Sequence, residues 1–325
     1  MDGPYLFYKD GKCTTISVDI IKNTKKNVSN ITVNNPDGTS FIVPIVETKT
    51  EEKSIYEMPD KLIALSDIEG NYYSYVNTLK NNHIIDDDFN WIFGKGHLVL
   101  VGDMFDRGEY VTQILWLTYK IEQESEKSGG KVHFILGNHD EMNINGDVRY
   151  VAEKYKLLAD KMNLSVGELF GLNTEIGKWI RHKNIIEKIG DHIFCHGGIS
   201  DSLTKFGLNI QEMNDIARAN FDIEEESEDA KLLFGRFGLI WYRGLVRDYK
   251  YYNKISEDEL DKVLAYFDSR KVIVGHCIVD DISLDFGGKV IRIDVDHYET
   301  KSRGLLIENG KYYKIMEDGN KIKLE

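Results

Sequence analysis

From Lys61 onward, short apolar runs alternate with longer stretches of helical periodicity. The apolar runs are rich in Val, Ile and Leu, as expected of strands buried on both faces. They occupy residues 62–65, 98–101, 132–136, 193–195, 272–274 and 290–295. The stretches with helical periodicity occupy residues 72–82, 110–126, 151–162 and 257–267. This alternation is typical of βαβ units and predicts an α/β fold.

Residues 1–58 have a different pattern, with short β-branched runs and no helical periodicity. The dipeptides Asp10-Gly11 and Asp37-Gly38 separate such runs, which is a hairpin signal. We therefore expect an N-terminal β-strand extension or small subdomain, or extra strands on the main sheet. The main domain is predicted to cover residues 59–325. A helical insert at about 141–190 separates two of its strands, and we expect it to form a lid or wall that selects the substrate.

Composition narrows the class of protein. The 325 residues include 41 Lys and Arg against 54 Asp and Glu, a net charge of −13, which argues against bulk nucleic acid as a partner. Hydrophobic residues make up 42% of the chain, enough for a large core. The apolar runs are too short to span a membrane. Three cysteines and no visible signal peptide favour a soluble cytoplasmic protein, although an exported form with a trimmed signal is compatible.

Polar residues follow the predicted strands where each strand ends. These residues are Asp67, Glu69, Asp103, Asn138, His196 and His276. Ligand sites of open α/β sheets form at the carboxyl ends of strands, so we expect these side chains to meet. A lone strand-end Asp is more often a helix N-cap and a lone His a packed core residue, but five such strand ends in order argue against coincidence.

The residue types suit divalent cations. Carboxylates, an amide and imidazoles together can hold a pair of hard or borderline ions, and one carboxylate can bridge them. A hydroxide bridging two ions is a strong nucleophile at neutral pH and would attack phosphorus. Arg107 and Arg243 could bind the phosphate oxygens, since planar guanidinium groups match them. Arg149 is a weaker candidate. Asp294, Asp296 and His297 also follow a strand, where an ordinary polar strand end is the favoured interpretation.

Three motifs carry a resemblance to a known family. Residues 102–108 (GDMFDRG), 137–140 (GNHD) and 196–198 (HGG) resemble motifs of the calcineurin-like metallophosphoesterases, in particular of their phosphoprotein phosphatase group. Residues 137–151 and 241–244 are similar to the Shewanella-like protein phosphatases. The resemblance covers residues 61–306. It implies a β-sandwich flanked by helices and an enzyme that hydrolyses phosphate esters at a dinuclear metal centre.

The resemblance also implies a role for each position. Asp67 and Glu69 would bind the first metal ion, and Asp103 would bridge the two. The second ion would be held by Asn138, His196 and His276. Arg107, Arg243 and Asn138 would contact the phosphate. His139, steadied by Asp106, would protonate the leaving oxygen.

One departure from the family motif concerns the metals. The first motif normally reads Asp-x-His, but Glu69 stands at its third position. Oxygen-only ligands favour Mn²⁺ or Mg²⁺, while Fe and Zn are also compatible with the family. We therefore expect weaker or metal-selective binding of the first ion.

Two other functions are compatible with the same residues. One is hydrolysis of nucleotides or dinucleoside polyphosphates, because fold and metal centre do not set the substrate. The other is a catalytically weak phosphate-binding scaffold, if Glu69 impairs the first metal position. Phosphorylated protein or a small phosphate ester is the predicted substrate of the leading hypothesis.

Overall fold

The computed structural model describes residues 2–17, 21–25, 28–46, 52–223, 227–298 and 302–325. The N-terminal strands are β1 (Tyr5–Lys9), β2 (Lys12–Ser17), β3 (Ile21–Lys25), β4 (Asn30–Asn34), β5 (Ser40–Pro44) and β6 (Ile55–Tyr56). The following strands are β7 (Lys61–Leu65), β8 (His97–Val101), β9 (Lys131–Ile135), β10 (Ile186–Ile189), β11 (His192–Cys195), β12 (Lys271–Val274), β13 (Ser283–Asp285), β14 (Val290–Arg292), β15 (Arg303–Glu308), β16 (Lys311–Met316) and β17 (Lys321–Lys323).

The helices lie between these strands. They are α1 (Tyr72–Asn81), α2 (Val111–Lys127), α3 (Asn138–Ile144), α4 (Glu153–Met162), α5 (Glu175–Ile180), α6 (Ile210–Ala219), α7 (Glu228–Phe234) and α8 (Glu257–Tyr266). Four of them, α1, α2, α4 and α8, begin within two residues of the helical stretches predicted from periodicity. No helix in the described ranges is both long and apolar enough to cross a bilayer.

Two six-stranded sheets form the centre of the fold. Their strand orders are β17-β16-β15-β7-β8-β9 and β13-β14-β12-β11-β10-β6. Strands β7, β8 and β9 are parallel to one another, as are β11, β12 and β14. The carboxyl ends of the strands that carry the polar motifs therefore lie at a common edge within each sheet.

An apolar core lies between the sheets. In β7, Leu62 and Ala64 belong to this core, whereas Ile63 and Leu65 pack into the larger core beneath the helices. Alternate residues of a strand point to opposite faces, so a strand covered on both sides must be apolar throughout. This explains the unbroken apolar runs. The predicted α/β sandwich flanked by helices is confirmed.

The two hairpin signals near the N-terminus form hairpins. β1 pairs with β2 through Asp10 and Gly11, which have φ angles of 50° and 71°, as a tight two-residue turn requires. β4 pairs with β5 around Gly38. These strands form sheets of their own, and among the described residues of this region only β6 joins a main sheet, at its edge.

The N-terminal strands share their core with α2. The indole nitrogen of Trp116 in α2 donates to the carbonyl of Pro4 at 2.9 Å. Leu6 and Phe41 are 1% and 4% exposed. The ring of Phe41 packs 5.3 Å from that of Phe89, centroid to centroid. We therefore expect this region and the sandwich to unfold together.

The stretch predicted as a helical insert, 141–190, contains α4 and α5. It also contains β10, which is paired with β11 in the second sheet. The division of the chain at residue 58 and the lid role of the insert remain predictions.

Replacing Phe41 by Ala should lower the free energy of unfolding by about 3–5 kcal/mol, the usual cost of deleting a buried aromatic ring. The loss should lower the midpoint of one cooperative transition, measured by denaturant titration with two spectroscopic probes. Ile42→Ala is the matched control, because Ile42 lies on the same strand and is 61% exposed. A separate early transition in Phe41→Ala would show instead that the N-terminal strands fold independently.

Candidate metal centre

The strand-end residues meet at one cavity of about 320 Å³. Its walls include most of the residues predicted from sequence: Asp67, Glu69, Asp103, Arg107, Asn138, His139, Arg243 and His276. His196 lies behind Asp103, fully buried, with Nε2 2.9 Å from Asp103 Oδ2. The structure therefore brings together all six predicted metal-binding residues.

Asp103 belongs to two clusters of potential metal-binding atoms. One cluster is Asp103, His196 and His276, and the other is Asp103, Glu69 and His139. The ligand atoms within each cluster lie no more than 4.8 Å from one another. Asp67 faces the same cavity, and its Oδ2 accepts hydrogen bonds from the backbone N–H of His276 at 3.1 Å and from the Ser66 hydroxyl. Asp103 is thus shared by the two clusters, and its role as a bridging carboxylate remains a prediction.

The amide of Asn138 supports the fit of a cation. One of its terminal atoms lies 3.1 Å from Nε2 of His196 and 2.7 Å from Nδ1 of His276. When that atom is the oxygen, its lone pairs face those of His196 Nε2 and His276 Nδ1. Such an arrangement of three lone pairs is stable only around a cation or a proton. The chemistry and convergence of these atoms therefore fit a divalent metal ion.

The backbone beside these residues is strained. Asp67, Glu69, Asp103, Arg107 and His276 all have positive φ angles, between 45° and 64°. The left-handed region is uncommon for residues other than Gly, and such outliers concentrate at functional sites. Each strand turns sharply at its end and brings the next polar side chain over the cavity.

Glycine permits a close approach between two strand ends in this centre. A Cβ on Gly137 would lie 2.1 Å from Oδ1 of Asp103 and 2.6 Å from its amide nitrogen. Any side chain at this position would displace Asp103. The glycine of the GNHD motif is therefore required by packing against the neighbouring strand end.

Asp140 holds the turn after β8, a role that sequence analysis missed. Its carboxylate accepts hydrogen bonds from the backbone N–H groups of Gly137, Asp103, Met104 and Phe105, at 2.8–3.2 Å. Asp140 is fully buried. Its position as the last residue of the GNHD motif was the available signal, but a strand-end motif does not reveal which backbone groups a side chain will satisfy.

His139 forms a carboxylate-paired imidazole at the cavity wall. Its Nδ1 lies 2.6 Å from Oδ2 of Asp106, and the other Asp106 oxygen accepts from the amide of Asn143 at 2.8 Å. Burial disfavours the imidazolium, but the hydrogen bond to Asp106 and the charge of Asp103 outweigh it and raise the pKa of His139. Nε2 remains directed to the cavity side, 4.0 Å from Oε1 of Glu69.

The predicted phosphate-binding arginines have different surroundings. Arg107 is 48% exposed, and its Nε pairs with Oε1 of Glu69 at 3.0 Å. Arg243 donates to the carbonyl of Trp241 at 3.3 Å and is half-buried at the cavity wall. Arg149 is not part of this wall, because it forms a bidentate pair with Asp147 at 2.7–2.9 Å on the surface.

Asp294 and His297, set aside in the sequence analysis, both line the cavity. Asp294 is only 2% exposed, and none of the described residues donates a hydrogen bond to its carboxylate. His297 is held by its two ring nitrogens, which contact Ser302 Oγ at 2.9 Å and the Ser66 carbonyl at 2.8 Å. The parallel pairing of β14 with β12 brings Asp294 beside the turn at His276. The sequence pattern did not reveal this pairing.

Burial and mutual repulsion oppose ionisation of these carboxylates. Burial, together with the charges of Asp67 and Asp103, raises the pKa of Glu69 to about 10. Burial also raises the pKa of Asp67 to about 6 and that of Asp294 well above its ordinary value. Asp103 behaves oppositely, because contact with His196 overcomes burial and lowers its pKa.

The fold is a sandwich of two sheets flanked by helices, and its cavity combines potential cation-binding residues with two arginines. This combination defines a metal-dependent phosphoesterase. Residues 61–299 match the model of the calcineurin-like phosphoesterase family. The chain belongs to that family. The family implies a centre of two divalent metal ions, and the chain is a phosphoric ester hydrolase.

Several proteins of this family resemble the chain more specifically. It is 28% identical over 245 residues to Shewanella-like protein phosphatase 1 of Plasmodium berghei, covering 71% of this chain and 67% of that one. It is 26% identical over 285 residues to Shewanella-like protein phosphatase 2 of Arabidopsis thaliana, covering 74% and 72%.

A solved structure extends the similarity to the whole chain. The crystal structure of a cold-active protein-tyrosine phosphatase from a psychrophilic Shewanella species matches with a TM-score of 0.88 and 34% identity, covering 100% of this chain and 99% of that one. The match therefore includes the N-terminal strands, which lie outside the motifs recognised in the sequence.

The pKa shifts predict how the metal-free protein responds to pH. Burial opposes protonation of His196, but Asp103 and Asp67 raise its pKa from 6.5 to about 10. Glu69 is raised to about 10 as well. Between pH 6.5 and 10 the folded state thus holds more protons than the unfolded chain, so its stability should fall as the pH rises.

Thermal unfolding in the presence of a chelator checks this expectation. The melting temperature should decrease from pH 6.5 to 10, and Glu69→Gln should make the decrease shallower. Glu153→Gln is the control, because the Glu153 side chain on α4 is 74% exposed. Equal slopes for the two variants would contradict the assignment of this pH dependence to Glu69.

Proposed function

We propose that the chain is a protein phosphatase that acts on phosphotyrosine and uses two Mn²⁺ or Mg²⁺ ions. The observation that carries this proposal is the convergence on one cavity of two cation-binding clusters, two arginines and a carboxylate-paired histidine. The similarity to a Shewanella protein-tyrosine phosphatase supports the choice of substrate.

Asp67, Glu69 and Asp103 would hold the first ion, with Asp294 as an additional carboxylate. Asp103, Asn138, His196 and His276 would hold the second. Oxygen ligands dominate the first set, and this composition favours the harder ions Mn²⁺ and Mg²⁺ over Fe and Zn. When bound, the pair of ions supplies Lewis acidity toward phosphate oxygens and lowers the pKa of water.

Arg107 and Arg243, which both line the cavity, would bind the phosphate oxygens. A planar guanidinium donates two parallel hydrogen bonds to phosphate, which fixes orientation as well as charge. Glu69 holds Arg107 through one nitrogen, Nε, so its terminal N–H groups are available. Asn138, at the start of α3, can donate its amide hydrogens to the same phosphate.

His139 would protonate the leaving oxygen. Asp106 accepts from Nδ1, so the proton to be transferred is on Nε2, the nitrogen on the cavity side. The hydrogen bond to Asp106 and the charge of Asp103 raise the pKa of His139, which favours the protonated form that this role requires. Asn143 fixes Asp106 in turn, and the ring of His139 packs 5.0 Å from that of Tyr150.

Aromatic side chains line the entrance. Tyr150, Trp241 and Tyr298 are all part of the cavity wall. Planar apolar walls favour a substrate whose leaving group is a ring, because stacked and edge-to-face pairs add to area burial. Tyr150 lies within the stretch 141–190, which is consistent with a substrate-selecting wall.

Metal-stripped protein should regain hydrolysis of 4-nitrophenyl phosphate when Mn²⁺ or Mg²⁺ is added, and to a smaller extent with Fe²⁺ or Zn²⁺. Asp103→Asn should reduce the rate by at least about 10³-fold, since both ions depend on this carboxylate. The measurement is a metal titration of initial rates, with bound metal determined by elemental analysis.

Two outcomes would contradict the proposal. An inactive protein that still binds phosphate would favour the scaffold hypothesis. Faster hydrolysis of diadenosine tetraphosphate than of phosphotyrosine peptides, assayed side by side, would favour the dinucleoside polyphosphate hydrolase.

The role of His139 can be tested through the leaving group. Asp106→Asn should lower kcat about 10²-fold or more for phenyl phosphate, whose leaving oxygen needs a proton. The loss should be much smaller for 4-nitrophenyl phosphate, since nitrophenolate leaves without protonation. Asn143→Ala should give a milder form of the same selectivity. An equal loss for both substrates would point to a structural defect, which metal analysis of the variant would reveal.

A further inference from the structure

A second pocket lies directly beside the metal centre. Its volume is about 320 Å³, and it shares Trp241 and Arg243 with the cavity described above. The remaining walls are Phe234, Arg236, Tyr249 and Tyr251. We call it the side pocket. The two cavities are therefore adjacent, separated by no more than the side chains of Trp241 and Arg243.

The side pocket is cationic in an otherwise acidic protein. The segment 236–251 carries four cations, Arg236, Arg243, Arg247 and Lys250, and one carboxylate, Asp248. The whole chain has a net charge of −13. Within the described ranges, no carboxylate forms an ion pair with Arg236 or Arg243. These two cations are therefore free to bind an anionic group from outside.

The aromatic rings orient the two arginines. The guanidinium of Arg236 lies 4.1 Å from the ring centroid of Tyr251, and that of Arg243 lies 5.1 Å from the ring of Tyr249. A guanidinium next to a ring face keeps its in-plane N–H groups available for a carboxylate. Because the guanidinium groups already occupy these ring faces, the tyrosines are poorly placed to stack on a nucleotide base.

We propose that the side pocket binds an acidic side chain adjacent to the phosphorylated residue of a peptide substrate. Arg236 would be the main partner of that carboxylate, and Tyr251 would hold Arg236 in position. Arg243 would connect the two cavities, contacting the phosphate on one side and contributing positive charge on the other. This inference rests on the proposed protein phosphatase function and adds a sequence preference to it.

The net negative charge of the protein does not oppose this preference. At physiological ionic strength, charges are screened over about 8 Å, so distant carboxylates have little effect on a bound peptide. The local attraction acts at contact distance and is therefore retained. The preference should consequently appear in binding of the peptide rather than in long-range steering.

Paired phosphotyrosine peptides test the proposal. The two peptides differ only in a flanking Glu or Gln, and 4-nitrophenyl phosphate serves as a substrate that cannot reach the side pocket. The wild-type protein should prefer the Glu peptide by about fivefold in kcat/KM, chiefly through KM, as a partly exposed charge pair allows. Arg236→Gln should abolish the preference and leave 4-nitrophenyl phosphate hydrolysis unchanged. Arg236→Lys should restore it in part.

Arg247→Gln is the matched control. Arg247 is an exposed arginine of the same segment, but it is not part of the pocket wall. The control should retain the preference for the Glu peptide. An equal effect of both substitutions would show a diffuse electrostatic field, and the pocket assignment would be overturned.

The remaining outcomes separate this proposal from the proposed function. Equal hydrolysis of both peptides by the wild-type protein would overturn the side-pocket proposal alone. Hydrolysis of 4-nitrophenyl phosphate without hydrolysis of either peptide would overturn both the protein substrate and the side pocket. If Arg236→Gln impaired hydrolysis of diadenosine tetraphosphate only, the pocket would be assigned to a polyphosphate chain instead.

Discussion

Repulsion among buried carboxylates is the constraint on which this structure depends. Asp67, Glu69, Asp103 and Asp294 share one cavity, each less than a tenth exposed. Water cannot solvate so many charges in that space, so they must be protonated or neutralised by cations. The two sheets supply the rigid frame, since each carboxylate or histidine stands at the end of a strand buried on both faces. The fold and the metal centre are consequently parts of one arrangement, and neither is simple to alter without the other.

Much of this arrangement was predictable, because the apolar runs and polar motifs in the sequence agree with the strands and turns of the fold. Apolar runs marked the central strands, and each polar motif stands next to its strand in sequence. The strands β10, β13 and β15–β17 were not predicted. β13 and β17 are sheet edges of three residues each, and β10 and β16 include charged residues, so their strand character depends on the neighbours with which they pair. The placement of the N-terminal hairpins against α2 also depends on contacts distant in sequence, such as Trp116 with Pro4.

In the candidate metal centre, too, some residues could be predicted from the sequence and others could not. Residues that a motif carries were found, whereas Asp294 and the role of Asp140 were not. Asp294 reaches the cavity through the pairing of two strands. The carboxylate of Asp140 accepts hydrogen bonds from four backbone N–H groups in two turns. Both facts are consequences of tertiary geometry. A sequence pattern can name the residues that carry chemistry more readily than the residues that hold the backbone around them.

The pairing of Glu69 with Arg107 has a consequence for turnover. A phosphate group that bound the terminal N–H groups of Arg107 would share this guanidinium with a carboxylate already 3.0 Å from its Nε. Inorganic phosphate left after hydrolysis would therefore meet a guanidinium whose charge is partly neutralised. If Arg107 binds phosphate as proposed, Glu69 would weaken retention of the product. An enzyme built in this way would exchange some affinity for its substrate against faster release of its product.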